Sequence, residues 1–340
     1  MANSENSNWQ TSSLQLPQSF HCRRSKVDNK TEIANVFNNF FTTIGPDLAN
    51  NIRTPTKTSV YDYLTSRNKK SLFLSPIDER EVISVVNGCK SKTSTDCDDI
   101  DFRLIKSVIT SIVKPITHIF NLSFQTGTFP EKMKIAKVIP LFKSGSKNDF
   151  NNYRPISLLP QLSKILEKLY SNRLNTFTKT CDILNPCQYG FREKMSTTHA
   201  LVKVVSEITN SLNKRKHSIG VFIDLQKAFD TVDHQLLCTK LEFYGIRGVA
   251  YQWIRSYLSN RTQYVSYEGH KSELLPIQCG VPQGSILGPL LFTIYVNDMC
   301  NVSKLLKFIL FADDTNIFHS HSKLPDLVRE LNTELDKMYK

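Results

Sequence analysis

The chain has 340 residues, of which 40% are hydrophobic and 22% charged, and its formal net charge is +12 at pH 7. This balance is typical of a globular protein and argues against a largely disordered chain. No apolar run approaches the roughly 18 residues of a membrane span, and residues 1–18 lack the basic and apolar parts of a signal peptide. The sequence therefore predicts an intracellular protein, nuclear or cytoplasmic, that is neither secreted nor membrane-spanning.

The first 74 residues are rich in Asn, Ser and Thr, and we predict a partly disordered N-terminal linker region there. Within it, apolar residues from Ile33 to Ile44 recur at helical spacing, which predicts a helix near residues 30–51. A folded domain is predicted for residues 75–340, with a first helix beginning at Asp78.

A second helix is predicted from Ile105 to Phe124, and basic residues concentrate after it. Six basic and two acidic residues lie between Glu131 and Arg154. This excess favours a polyanionic partner, because each cation near a phosphate releases counterions. Charge alone leaves open a basic globular protein without such a partner. The predicted nucleic-acid contacts are four lysines of this segment: Lys132, Lys134, Lys137 and Lys147.

Helices and a few strands alternate over the next part of the chain. A turn is predicted at residues 153–157, and amphipathic helices follow at residues 161–177 and 196–212. The apolar, β-branched run Ile219–Leu225 predicts a buried central strand.

The remaining pattern completes an α+β fold. A helix pair broken at Gly245 precedes a hairpin within residues 262–277 and a mostly helical segment from Pro289 to Asp298. Two strands are predicted between Leu305 and Phe318, with a turn at Asp313-Asp314.

Eight cysteines are scattered along the chain, and no two form a CxxC pair: Cys22, Cys89, Cys97, Cys181, Cys187, Cys238, Cys279 and Cys300. Most of them stand in apolar stretches. This spacing predicts reduced, buried thiols, with neither a disulfide framework nor a zinc site.

Three aspartates stand where apolar strands end. Asp224 follows the apolar run, and Asp313 and Asp314 lie between two apolar strands. Each alone is more commonly a cap or a turn residue. Together they describe carboxylates delivered from two strands to one point, an arrangement of hard oxygen ligands that binds divalent cations and serves in-line phosphoryl transfer.

A loop rich in Gly and Pro separates these carboxylates along the chain. It runs from Gly280 to Ser285 and is followed by Gly288-Pro289. This density predicts a rigid, exposed loop that a ligand or another backbone approaches closely. An ordinary connection between a loop and a helix is the alternative.

Five motifs in this order resemble those of reverse transcriptases, especially of non-LTR (LINE-type, Jockey-like) retrotransposons. Residues 222–230 resemble polymerase motif A, residues 280–289 motif B and residues 311–314 motif C. Residues 153–158 and 188–192 are similar to the family's fingers motifs.

The resemblance implies a right-hand polymerase fold, with fingers at about residues 75–215 and a partial palm at about residues 216–340. The palm is expected to be a small antiparallel sheet with packed helices. Only 26 residues follow Asp314. They can form the helix after motif C but not the later palm motifs, so we expect a domain without a thumb.

The resemblance also implies roles for single residues. Asp224, Asp313 and Asp314 would be catalytic and, with the carbonyl of Leu225, would hold two Mg²⁺ ions, or Mn²⁺ in their place. The implied nucleotide-binding residues are Lys143, Arg154, Ala228, Phe229, Gln283 and Gly284. Among these, the two cations would grip the triphosphate, and the aromatic ring would exclude a 2′-hydroxyl.

Four further residues are interpreted as structural. Lys227 and Asp230 are predicted to form a surface pair, and Tyr153 and Trp253 are predicted to be core residues rather than base-stacking platforms.

By family, the expected activity is RNA-directed DNA synthesis from dNTPs on an RNA template and a DNA primer, with no membrane partner. Because no thumb is expected to hold the primer end, we predict that this chain binds RNA or an RNA–DNA duplex weakly and extends a primer poorly or not at all. The alternative is a catalytically silent nucleic-acid-binding fragment, which the missing thumb would favour and the intact carboxylates would not. A nucleotide cyclase is disfavoured, because the basic segment and the loop would have no purpose in it.

Overall fold

The computed structural model describes residues 20–22, 25–50, 59–64, 67–91 and 93–339. Their α-helices are α1 (Lys30–Asn50), α2 (Glu79–Gly88), α3 (Phe102–Thr126), α4 (Gln161–Thr180), α5 (Thr197–Asn213), α6 (His234–Phe243), α7 (Gly248–Leu258), α8 (Gly288–Tyr295) and α9 (Leu324–Tyr339). Their strands are β1 (Phe20–Cys22), β2 (Ser25–Val27), β3 (Ile135–Phe142), β4 (Tyr153–Leu158), β5 (His217–Ile223), β6 (Thr262–Tyr267), β7 (His270–Lys271), β8 (Leu275–Pro276), β9 (Lys307–Phe311) and β10 (Asp314–His321).

This mixture of helices and small sheets confirms the predicted α+β class. Among the described helices, none combines the length and apolar character needed to cross a bilayer. Side-chain caps fix several helix starts: Asp78 accepts a hydrogen bond from the Glu81 amide, and Ser196 accepts one from the His199 amide. The helix predicted from Ile105 begins at Phe102, because Asp101 caps it.

A three-stranded antiparallel sheet is formed by β5, β10 and β9, in that order. The prediction that β5 is a central strand is therefore wrong. Within the described residues β5 pairs with β10 alone, and β10 is the central strand. The side chain of Phe222 in β5 is 70% exposed. A continuous apolar run is typical of a central strand, but only pairing partners distant in sequence decide which strand lies at the edge.

A second, mixed sheet has the order β4-β3-β6-β7, and β8 also pairs with β6. The turn predicted at residues 153–157 is wrong, because this segment is strand β4 and pairs antiparallel with β3. Strands β3 and β6 run parallel, and the predicted hairpin within residues 262–277 is present as β6 and β8.

Helix α1 packs against this mixed sheet. Phe37 and Phe41 share an apolar cluster with Tyr153 and Val265, and the Asn38 amide donates to the carbonyl oxygen of Glu273 at 2.8 Å. The boundary predicted between residues 74 and 75 stays a prediction, although residues on both of its sides contribute to the same apolar clusters.

The largest apolar cluster joins the helices. Trp253 of α7 is fully buried and stacks on Tyr170 of α4, with ring centroids 4.2 Å apart. Tyr153 is also fully buried. Both aromatic residues predicted to belong to the core are thus confirmed there.

The cysteine prediction needs correction. Cys187 and Cys300 form a disulfide that links the segment before α5 to the segment before β9. Of the free thiols in the described residues, that of Cys238 is buried, and four others are partly exposed: those of Cys89, Cys97, Cys181 and Cys279. Sequence spacing did not reveal the pair because its members are 113 residues apart.

Candidate functional site

The three predicted carboxylates lie at one end of the three-stranded sheet. Ile223 of β5 pairs with Thr315 of β10, so the next residue, Asp224, lies across from Asp314, while Asp313 occupies the turn between β9 and β10. All three line a cleft of about 960 Å³. The fold therefore brings together carboxylates that are distant in sequence.

The donor set of this end of the cleft fits a divalent cation. Within the described residues, the carboxylates of Asp224, Asp313 and Asp314 form no hydrogen bond and no ion pair. Leu225 lines the same cleft. Oxygen ligands of this kind are those that Mg²⁺ prefers. The described residues nevertheless contain no preformed cluster of three or more acidic, His or Cys side chains that could hold a metal ion. Any ion would need part of its coordination from other ligands, such as substrate phosphates.

The turn that carries Asp313 differs by one residue from the predicted one. Its two residues are Ala312 and Asp313, since Asp314 already pairs with Phe311. Ala312 has a φ of +57°, a left-handed conformation that favours Gly and costs about 1 kcal/mol for Ala. Something outside the turn must stabilise this backbone.

Gln188 supplies that stabilisation. Its side chain is 1% exposed. Its Oε1 accepts from the amides of Gly190 at 2.7 Å and Ala312 at 3.1 Å, and its Nε2 donates to the Ala312 carbonyl at 3.4 Å. One side chain thereby holds both polar groups of the Ala312 backbone. In the sequence Gln188 stands out only as part of a motif, and no local pattern indicated its partner.

Cations face the carboxylates across the cleft. Lys143 and Arg154 lie at the end of the β3–β4 hairpin and line the cleft. Lys227 joins them, and burial lowers its pKa from the usual value, with the charges of Lys143 and Arg154 acting in the same direction. The wall is therefore suited to polyphosphate, which neutralises closely spaced cations.

The predicted surface pair of Lys227 and Asp230 is wrong. Lys227 donates from Nζ to the Tyr153 carbonyl at 3.3 Å, whereas Asp230 accepts from Gln283. Burial raises the pKa of Asp230 to about 6, although its bond from Gln283 acts in the opposite direction. The two residues are close in sequence, but the backbone turns between them and sends their side chains to different neighbours.

Ala228 and Phe229 line the cleft beside the carboxylates. The ring of Phe229 stacks on Phe292 of α8 with centroids 4.7 Å apart, and Phe191 meets it edge-on at 5.9 Å. Ala228 is 8% exposed. The aromatic ring is therefore held in place, and the small neighbour leaves room beside it.

The glycine loop, residues 280–287, forms the remaining border. Gln283 lines the cleft, but Gly284 does not. Gly284 has a φ of +121°, and a Cβ there would lie 2.6 Å from the Ser157 carbonyl oxygen. Glycine is required at position 284 because the loop backbone lies close to β4 there. The structure therefore gives Gly284 a packing role and does not support it as a nucleotide contact.

A buried glutamate that sequence reasoning missed anchors this loop. Glu167 of α4 is fully buried. Its Oε2 accepts from the amides of Ile286 at 2.9 Å and Leu287 at 3.2 Å, and its Oε1 accepts from Ser163 at 3.0 Å. Burial raises the pKa of Glu167, and the charge of Arg261 opposes that rise. A glutamate in the pattern of an amphipathic helix gives no sign of such a partner.

The basic segment divides into exposed and occupied lysines. Lys134 is 2% exposed and pairs with Glu131 at 2.6 Å, and Lys137 pairs with Asp99 at 3.7 Å. The predicted phosphate contact is therefore corrected for Lys134, which is buried, and stays a prediction for Lys137, which is partly exposed. Lys132 and Lys147 are exposed and remain predicted contacts.

A small antiparallel sheet that ends in carboxylates, opposite a wall of cations and beside a glycine loop, is suited to enzymes that act on nucleotide phosphates. The family model that matches the chain is "Reverse transcriptase (RNA-dependent DNA polymerase)", over residues 145–339. The chain belongs to the reverse transcriptase family, and by family it is an enzyme. The resemblance seen in its motifs is thereby confirmed.

Curated relatives agree. The chain is 33% identical to the RNA-directed DNA polymerase from mobile element jockey of Drosophila melanogaster, over 82% of this chain and 31% of the relative. It is 30% identical to the probable RNA-directed DNA polymerase from transposon BS of the same species, over 81% of this chain and 31% of the relative. A Pol polyprotein from type-1 retrotransposable element R1 of Bradysia coprophila is 29% identical, over 73% and 25%. The chain thus spans less than a third of the length of these relatives.

Proposed function

We propose that this chain performs RNA-directed DNA synthesis, transferring a nucleotide from a dNTP to the 3′-hydroxyl of a DNA primer on an RNA template. The observation that carries the proposal is the cleft, in which Asp224, Asp313 and Asp314 face Lys143 and Arg154. Carboxylates on one side and cations on the other suit a triphosphate that must be held by metal ions and by direct contacts.

We assign the three-stranded sheet to the palm and the mixed sheet to the fingers of a right-hand polymerase fold. This assignment moves β6, β7 and β8, which lie within the range predicted for the palm, to the fingers. In this assignment helix α1 belongs to the fingers, because it packs on β6 and shares an apolar cluster with Tyr153. The cleft lies between the two sheets, since its lining comes from β4, from the residues after β5, from the turn residue Asp313 and from Asp314 at the start of β10.

Two Mg²⁺ ions are the proposed cofactors, held by Asp224, Asp313 and Asp314 with the carbonyl of Leu225. When bound, such ions activate the attacking hydroxyl and neutralise charge on the leaving pyrophosphate. Lys143 and Arg154 would bind the triphosphate and orient it, and Lys132 and Lys147 would add contacts to nucleic-acid phosphates.

Phe229 is proposed to select deoxynucleotides. Its ring is fixed by Phe292 and borders the cleft, so an additional 2′-hydroxyl would clash with it rather than displace it. In a chain that extends primers, Phe229→Ala should raise ribonucleotide incorporation relative to deoxynucleotide incorporation. An unchanged ratio in competition assays would remove Phe229 from this role.

The test of the activity is extension of a DNA primer on an RNA template with Mg²⁺. Extension by the chain that is abolished in Asp313→Ala and unchanged in Asp336→Asn would support the proposed activity. Asp336 is an exposed carboxylate of α9 and serves as the control. Template binding without any extension would instead favour the catalytically silent fragment. Absence of binding as well would overturn both functions.

A further inference from the structure

Asp230 and Gln283 meet in a contact with a defined direction. The Nε2 atom of Gln283 lies 2.9 Å from each carboxylate oxygen of Asp230. An ionised carboxylate can only accept hydrogen bonds, so it must face the NH₂ group of the amide. The amide carbonyl oxygen of Gln283 is therefore directed away from Asp230.

The backbone of the glycine loop is fixed on both sides of this contact. The Gln283 carbonyl oxygen accepts from the Ser157 amide at 2.8 Å, and the Val281 amide donates to the Phe229 carbonyl at 2.8 Å. These two bonds hold the main chain, so the partner of the NH₂ group sets the orientation of the Gln283 side-chain amide.

Asp230 is itself held from several directions. Its amide donates to the Lys227 carbonyl at 2.8 Å, and its carbonyl oxygen accepts from the Cys279 thiol at 3.3 Å. Helix α1 contacts the same point, since a Cβ added to Gly45 would lie 2.3 Å from the Asp230 carbonyl oxygen. Asp230 does not line the cleft, whereas Gln283 does.

We propose that Asp230 is a positioning residue, which orients the Gln283 amide so that its carbonyl oxygen is presented to the nucleotide in the cleft. The recognised group is then a hydrogen-bond donor on the nucleotide, a hydroxyl or an amino group. The proposal rests on the proposed function, because it requires a nucleotide in this cleft. Asn at position 230 would carry both a donor and an acceptor, and would let the Gln283 amide rotate by half a turn.

The experiment measures binding of dTTP, with Mg²⁺, to the chain on an RNA–DNA duplex whose primer ends in a dideoxynucleotide, so that no turnover occurs. The proteins are the parent chain, Asp230→Asn, Gln283→Ala and the double variant. We expect Asp230→Asn to raise the Kd for dTTP about tenfold, which corresponds to one lost hydrogen bond of about 1.4 kcal/mol. In the Gln283→Ala background the same change should have no further effect, because the group through which Asp230 acts is gone.

Asp233→Asn is the matched control, since Asp233 caps α6 three residues further on and does not line the cleft. It should bind dTTP like the parent chain. Equal Kd values for the parent chain and Asp230→Asn would overturn the positioning role, as would an equal loss in both backgrounds. If the parent chain binds no dTTP, the proposed function itself fails, and this outcome is distinct from failure of the positioning role alone.

Discussion

The turn at Ala312-Asp313 and the glycine loop border the same cleft, but different kinds of side chain hold them. The neutral amide of Gln188 holds the turn through two hydrogen bonds to Ala312, and it accepts a third from the Gly190 amide. The carboxylates of Glu167 and Asp230 hold the loop. Burying an amide that is fully hydrogen-bonded costs little, whereas burying a carboxylate is costly unless its charge is compensated. The loop is therefore the region whose stability depends more on charge and on pH.

The largest effect is expected for Glu167→Ala. This change leaves the amides of Ile286 and Leu287 without their side-chain acceptor and removes a negative charge that acts on buried Arg261. We expect the free energy of unfolding in urea to fall by about 3–5 kcal/mol. Glu167→Gln keeps an acceptor and should lose roughly half as much. If Glu167→Ala and Glu167→Gln lower the free energy of unfolding equally, the hydrogen bonds from Ile286 and Leu287 contribute little. Glu167 would then not be what holds the loop.

The turn should be weakened less. Gln188→Met keeps the volume of the side chain but removes its three hydrogen bonds, so we expect a loss of about 1–3 kcal/mol. Hydrogen exchange should accelerate at the Ala312 amide, which loses its acceptor. Exchange at this amide that is as slow as in the parent chain would show that the β9–β10 pairing alone fixes the turn.

A pH effect is expected at Asp230 and not at Gln188. Burial raises the pKa of Asp230 from 3.8 to about 6, so between these values the native state binds more protons than the unfolded chain. Relative to Asp230→Asn, the parent chain should lose stability as pH rises from about 4 to 6, by on the order of 2 kcal/mol, and then remain level. Urea unfolding of both proteins at several pH values measures this. If the difference in the free energy of unfolding between the two proteins does not change with pH, the pKa of Asp230 in the folded protein is not raised.

The smallest effect is expected for charge pairs outside the cleft. Lys203, with 49% of its side chain exposed, pairs with Glu207 at 2.8 Å, and Lys307 also contacts that carboxylate. Lys203→Ala should change the free energy of unfolding by less than about 1 kcal/mol, because Lys203 is half exposed and Lys307 still pairs with the Glu207 carboxylate. A loss as large as that of Glu167→Ala would show that Lys307 does not compensate the charge of Glu207.

Local sequence patterns were sufficient to predict the elements that carry the chemistry. Apolar runs placed Asp224 and Asp313 at the ends of strands, capping residues such as Ser196 placed helix starts, and the order of the motifs indicated the family. These signals are local, because period, caps and turn residues act within a few positions of the chain.

The contacts that hold the turn and the glycine loop in place could be seen only in the folded structure. Gln188 meets Ala312 across 124 residues of sequence, and Glu167 meets Ile286 across 119. Three other features likewise depend on segments distant in sequence. They are the edge position of β5, the hydrogen bond of Asp230 with Gln283 instead of an ion pair with Lys227, and the burial of Lys134. A buried polar side chain takes whichever partner the packing brings within hydrogen-bond distance, and no local pattern encodes that partner.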